Sequence, residues 1–300
     1  DGKVLKVVDG KLVTIANLLT GLDNFAFNDK DEIFVSSYAD GSILKVNGNK
    51  IEEILPGGIS HPGGLAVYKD NLVVADIQSV RSFNINNRNQ DWVLRNIFRS
   101  SPLGANTSAA ILDDHILLTS WVDNTVKILN PESGKIIKSF EGLNIPVSAA
   151  KFNDSYVVAL HGNSSISILK DDGSLDILSD EFDSPTHVIP YKDGLLVSDR
   201  NRGEIIEVSS SGDTDTLISG LDSPEGIALI DDTLFVYEGD TGEIKSIINN
   251  KMSVIAKLSA GSPAASPMQP PSMVFNGLVA HEGYLYATDE MKRSIYKILP

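Results

Sequence analysis

Residues 223–248 read SPEGIALIDDTLFVYEGDTGEIKSII, and this stretch decides the fold. Ile227–Ile230 is one short apolar run, Leu234–Tyr237 a second, and Ile244–Ile248 a third that alternates apolar with polar. Asp-Asp separates the first two runs and Glu-Gly-Asp-Thr-Gly the next two, so the chain reverses twice within 25 residues. Runs of this length joined by such turns form an antiparallel meander of strands.

The same pattern recurs along the chain. It is seen in IFVSSYADGSILKV (33–46), LVVADIQSVRSFNI (72–85), ILLTSWVDNTVKIL (116–129), YVVALHGNSSISIL (156–169), LLVSDRNRGEIIEV (195–208) and LYATDEMKRSIYKI (285–298). Each copy is preceded by an apolar strand, often after Pro-x-Gly, and followed by another, as in IEEIL (51–55) and DTLIS (215–219). Four strands per repeat at about 40 residues is the signature of a propeller blade.

First strands begin near Phe25, Leu65, Ala109, Ala149, Val188, Ile227 and Leu278, which gives seven blades and makes residues 1–300 a single all-β domain. The last copy runs out after three strands, and LVTIA at Leu12–Ala16 is expected to supply the fourth and close the ring. Val4–Val8 also reads as a strand and competes for the same place. Ring closure removes the sheet edges that would otherwise template aggregation.

The chain carries 25 basic and 40 acidic side chains, a net charge of −15, which argues against nucleic acid or anionic membrane as a partner. It has no cysteine, so a thiol nucleophile, a disulfide framework and a cysteine zinc site are all excluded. Apolar runs are too short for a transmembrane helix, and a monomer is expected. The acidic composition and a chain that starts at Asp1 suggest a periplasmic or secreted protein whose leader has been removed.

In a four-stranded meander the residues just before strand A and those in the B-to-C turn ring one mouth of the central channel. Two positions before each strand A stand Asp23, Gly63, Thr107, Val147, Thr186, Glu225 and Asn276. Glu225, Asn276 and Asp23 come from blades six, seven and one, which are neighbours in a closed ring, so three oxygen ligands for calcium or magnesium are expected at the mouth. At the end of strand B, Asp76, Asp199 and Asp289 follow the repeat and read as turn-bonding residues. Trp121, His161, Arg200 and Glu238 depart from it and are candidates for function. His61, His161 and His187 all fall on this face, and His187, next to the channel, is the expected general acid or base. The insertion Gly261–Asn276, with Met268, Met273 and Phe275, and the shorter extension Phe98–Ser108 are expected to wall or cover the same mouth.

SPEGIALIDDTLFVYEGDTGEIKSI and SHPGGLAVYKDNLVVADIQSVRSF resemble NHL-type repeats, and the whole chain is similar to the NHL, gluconolactonase-like and virginiamycin B lyase-like propellers. Likeness to the gluconolactonase-like enzymes implies a calcium held by Glu225, Asn276 and Asp23, and carries six blades as the alternative count. Likeness to the lyases implies seven blades and magnesium, with His187, Glu225 and Glu238 as the matching set. The expected activity is that of a divalent-metal-dependent hydrolase or lyase on a small lactone or ester. His187, assisted by Glu238, would move the proton, and Trp121, His161, Arg200 and His61 would face the substrate. The alternative is a non-catalytic propeller that binds a protein or glycan on the same face.

Overall fold

A computed structural model describes residues 3–8, 11–18, 21–47, 50–76, 79–95, 108–112, 114–121, 123–260, 277–289, 292 and 294–300. It is a ring of seven sheets, six antiparallel with four strands in chain order and one, the seventh, with five strands, one pair of them parallel. Asn276, the insertion 261–276 and most of the extension 98–108 lie outside the described residues.

The apolar runs become buried strands because both faces of each blade are covered. In the second strand of blade five, Leu195 and Val197 pack toward blade four and Leu196 toward blade six. The core is therefore seven small cores, one between each pair of adjacent sheets. This explains why strands B and C read as nearly continuous apolar runs, whereas outer strands such as Leu175–Ser179 show exposed positions. Phe34 is fully buried between blades one and two, and Phe34→Ala is expected to cost about 3–5 kcal/mol, read by urea unfolding.

Ring closure uses the N-terminus, but not by the segment expected. Lys3–Val8 lies against the last strand, Ser294–Ile298, in a parallel register that pairs Val4 with Ile295 and Val7 with Ile298. Lys11–Asn17, which contains Leu12–Ala16, folds back antiparallel on it as the fifth, outermost strand. The two segments do not compete, because a hairpin lets both be used. Val4 and Ala16 both enter the core between blades seven and one, which ties the inserted hairpin to the ring.

First strands of neighbouring blades contact one another around the axis, so they are the innermost elements. Residues just before strand A and those after strand B share one end of the ring. They are also linked by a recurring backbone bond: the N–H of Tyr38, His161, Arg200 and Gly239 donates to the carbonyl of Gly21, Ile145, Ser184 and Ser223 respectively. Among the described residues no helix is long and apolar enough to cross a membrane.

Candidate functional site

The carboxylates that end strand B are structural. Asp199 accepts from the backbone N–H of Asp183 and Ser184 at 2.7 and 2.9 Å, and Asp289 from Ser259 and Lys292 at 2.9 and 3.0 Å. Each therefore pins a connection at the mouth to the end of strand B. Glu238 belongs with them, a correction to its expected part in proton transfer. It is fully buried and accepts from the Asp222 N–H at 3.0 Å, the Lys245 ammonium at 2.7 Å and the Thr241 hydroxyl at 2.9 Å. Both oxygens are taken up by its own blade.

Most of the remaining candidates form two groups, one in blades five and six and one in blades one and two, on either side of blade seven. In blades five and six, Glu225 is buried, with its carboxylate packed over Gly239: a Cβ there would lie 2.2 Å from Oε1. Arg200, from the neighbouring turn, donates through Nε to Glu225 Oε1 at 3.3 Å and through Nη2 to Asp240 at 3.2 Å. Ser223 donates to the other oxygen of Asp240 at 2.7 Å. His187 lies against strand A of blade six, where its Nδ1 accepts the Ile227 backbone N–H at 3.0 Å. That bond leaves the ring proton on Nε2. Burial lowers its pKa to about 4, so at neutral pH His187 is an uncharged N–H donor and not the proton shuttle expected for it. His161, at the junction of blades four and five, has Nδ1 3.3 Å from the Ser184 hydroxyl, and burial lowers its pKa as well. Trp121 stands half-buried in the turn after strand B of blade three.

The second group lies in blades one and two. Asp23 sits at an irregularity in strand A, between Leu22 and Phe25 in the pairing register, with Oδ2 next to Gly63. Asn24 holds the two blades together through Nδ2 to the Gly63 carbonyl at 3.2 Å. Among the described residues no hydrogen-bond donor or cation pairs with the Asp23 carboxyl, and burial raises its pKa to about 7. Its charge in turn helps to raise the pKa of the Tyr38 hydroxyl, after burial. Tyr38 packs at a tilt against His61 with ring centroids 4.5 Å apart.

Of the three expected cation ligands Asn276 lies outside the described residues, so only Glu225 and Asp23 are placed. Arg200 already faces Glu225, and no three of Asp23, His187, Glu225 and Glu238 bring ligand atoms within 4.8 Å of one another. Calcium takes about six to eight oxygens and each group here offers one or two. Among the described residues such a trio occurs elsewhere, at Asp31, His281 and Glu282 on the opposite face, where Asp31 and His281 bond each other at 2.7 Å.

Tyr38 and Asp240 were not among the candidates, although Tyr38 stands in the same register position as Trp121, His161 and Arg200. The signal that would have found Tyr38 is a pairing across blades: the residue after strand B of one blade meets the residue four or two before strand A of the next. Tyr38 with His61, His161 with Ser184 and Arg200 with Glu225 all follow it.

No family model and no curated protein sequence matches this chain. Solved structures do. Virginiamycin B lyase from Staphylococcus aureus aligns at a TM-score of 0.69 and 15% identity, over 91% of this chain and 93% of that one. The WD40 propeller domain of Doa1 aligns at 0.69 and 14%, over 91% of each chain, and BamB from Moraxella catarrhalis at 0.61 and 11%, over 96% of this chain and 93% of that one. The chain is thus similar in fold to a lyase and to other propellers, and its seven-bladed architecture is the one expected from its repeats.

Proposed function

We propose that the channel mouth carries out acid–base chemistry of the lyase or hydrolase class on a small lactone or ester, with Asp23 as the residue that moves the proton. The supporting observation is the Asp23 carboxyl, half-buried and unpaired among the described residues, with its pKa raised to about 7. A base works best when its pKa lies near the operating pH, and such shifts concentrate at working sites. In an elimination the Asp23 carboxylate takes a proton from the carbon next to the one bearing the ester oxygen, the C=C bond forms and that C–O bond breaks to release a carboxylate; in hydrolysis it takes one from the attacking water, whose oxygen adds to the carbonyl and expels the alkoxide. His187, fixed as an Nε2–H donor, and Arg200 supply the hydrogen-bond donors of the mouth; an oxyanion held by such donors is stabilised without reorganisation.

Calcium or magnesium enters none of these steps. Thermal unfolding of chelator-stripped protein is expected to be unchanged by adding either ion, and a large rise in Tm would favour the metal-dependent mechanism instead. Catalysis is tested with a panel of lactones and esters. Asp23→Asn is expected to lower kcat/KM by about 10²-fold or more while the protein stays folded. Wild-type kcat/KM should rise with pH through about 7, as the Asp23 base ionises. Turnover that survives Asp23→Asn would sink the assignment.

A non-catalytic mouth that binds a protein or glycan is favoured by one observation: Glu225, Arg200, Asp240 and Ser223 already satisfy one another across blades five and six. Such a surface is preorganised for docking. Binding would then depend on Trp121 and Arg200 and be indifferent to Asp23→Asn.

A further inference from the structure

The rim beside Asp23 carries two aromatic rings that the backbone there does not require. Tyr38 opens the B-to-C turn of blade one and is 43% exposed, and His61, also exposed, comes from the connection into blade two. Their ring planes are inclined at 58°. The turn that holds Tyr38 is made by its backbone N–H to Gly21, the same bond that Arg200 and Gly239 make in their blades, so this turn accepts other side chains. His61 has a positive φ of 56°, but so do Gly21, Ile145 and Ser223 at the same place in their repeats, at 97°, 55° and 54°. The left-handed conformation thus belongs to the repeat and gives no reason for an imidazole. Neither ring is needed for the fold of its segment, and each leaves apolar surface facing solvent.

The rings are also continuous with Asp23. Gly63 follows His61 by two residues and has no side chain; a Cβ added to it would lie 3.4 Å from Asp23 Oδ2. In this connection the residue that faces the Asp23 carboxyl is thus one that presents no side chain. Tyr38 lies within electrostatic reach of the same carboxyl.

We propose that Tyr38 and His61 form a subsite for an aromatic ring, and that the substrate is consequently an aryl lactone or aryl ester whose reacting carbonyl reaches Asp23. This rests on the acid–base reading of Asp23 given above. Two rings inclined at this angle present one face and one edge, and a third aromatic ring packs favourably against both. A sugar ring, by contrast, stacks on a single face and gains nothing from the inclined partner.

The test separates binding from turnover. The probes are dihydrocoumarin, which carries a fused aromatic ring, and γ-butyrolactone, which does not. Binding is followed by saturation-transfer NMR on the Asp23→Asn protein, which is not expected to consume either compound. Dihydrocoumarin is expected to bind at least ~10-fold more tightly than γ-butyrolactone, and Tyr38→Leu in that background to weaken it ~5-fold or more, with a further loss from His61→Ala. Equal binding of the two lactones, no binding of either, or an unchanged affinity in Tyr38→Leu overturns the subsite. Selective binding of dihydrocoumarin that depends on Tyr38, with no turnover by the wild-type protein, keeps the subsite and sinks the acid–base assignment. A circular dichroism melt of each variant shows that a loss of binding is not a loss of fold.

Discussion

Asp23→Asn is expected to stabilise the protein at pH 8 and to leave it unchanged near pH 4. The Asp23 pKa is raised from 3.8 to about 7 in the folded protein, so between these values the folded state holds a proton that the unfolded state has lost. Its contribution to stability is present in full below pH 3.8 and disappears as pH rises through 7. At about 1.4 kcal/mol per unit, the full shift corresponds to at most about 4 kcal/mol, and Asn removes that penalty. His187 works in the opposite direction. Its pKa falls from 6.5 to about 4, so its contribution is present above pH 6.5 and is lost as pH drops toward 4, by about 3 kcal/mol.

The two slopes nearly cancel in the wild-type protein between pH 4 and 7, and each variant exposes the other. Urea unfolding at pH 4.5, 6 and 8 should show the difference between Asp23→Asn and wild type growing with pH. His187→Gln should show the reverse, losing its disadvantage as pH falls. A difference that does not change with pH would mean that the Asp23 carboxyl is solvated or paired, and the acid–base reading would lose its support.

The blade count, the meander order and the turn carboxylates were legible in the sequence because they repeat. Seven copies of one pattern average out the ambiguity of any single strand, and Asp199 and Asp289 stand where the repeat predicts and bond their own B-to-C turns through the N–H of Arg202 and Lys292. What does not repeat was harder to read. The N-terminal segments both carry strand patterns, and only the pairing of Val4 with Ile295 shows that the first takes a parallel place inside the second. Glu238 departs from Asp in spelling but not in role, since one extra methylene still reaches the Asp222 N–H and Lys245. His187 was legible in place and not in chemistry: proximity to the channel was read as access to protons, while burial and the Ile227 N–H make it a neutral donor. Asn276, the third of the expected oxygen ligands, lies outside the described residues; of the other two, Glu225 meets Arg200 and Asp23 lies beside Gly63.

Arg200→Ala is the second change expected to have a large effect, because it removes a guanidinium that faces a buried carboxylate. Glu225 is 1% exposed, whereas the Arg200 side chain keeps 20% of its surface in contact with solvent. Loss of one partner from a fully buried pair costs about 3–5 kcal/mol, since the remaining charge is stranded. Partial exposure lets water take over some of the work of Arg200, so about 2–3 kcal/mol is expected for Arg200→Ala. Glu225→Gln should cost less, because the amide is neutral and its size is kept. The double variant Arg200→Ala, Glu225→Gln should then be more stable than Arg200→Ala alone, as there is no longer a carboxylate to strand. A double-mutant cycle by urea unfolding gives the coupling, expected at about 1–3 kcal/mol for groups in contact. Additive effects would mean that Glu225 is neutralised by something other than Arg200. The mouth would then have room for a cation after all, and calcium or magnesium would return as the ion that Glu225 serves.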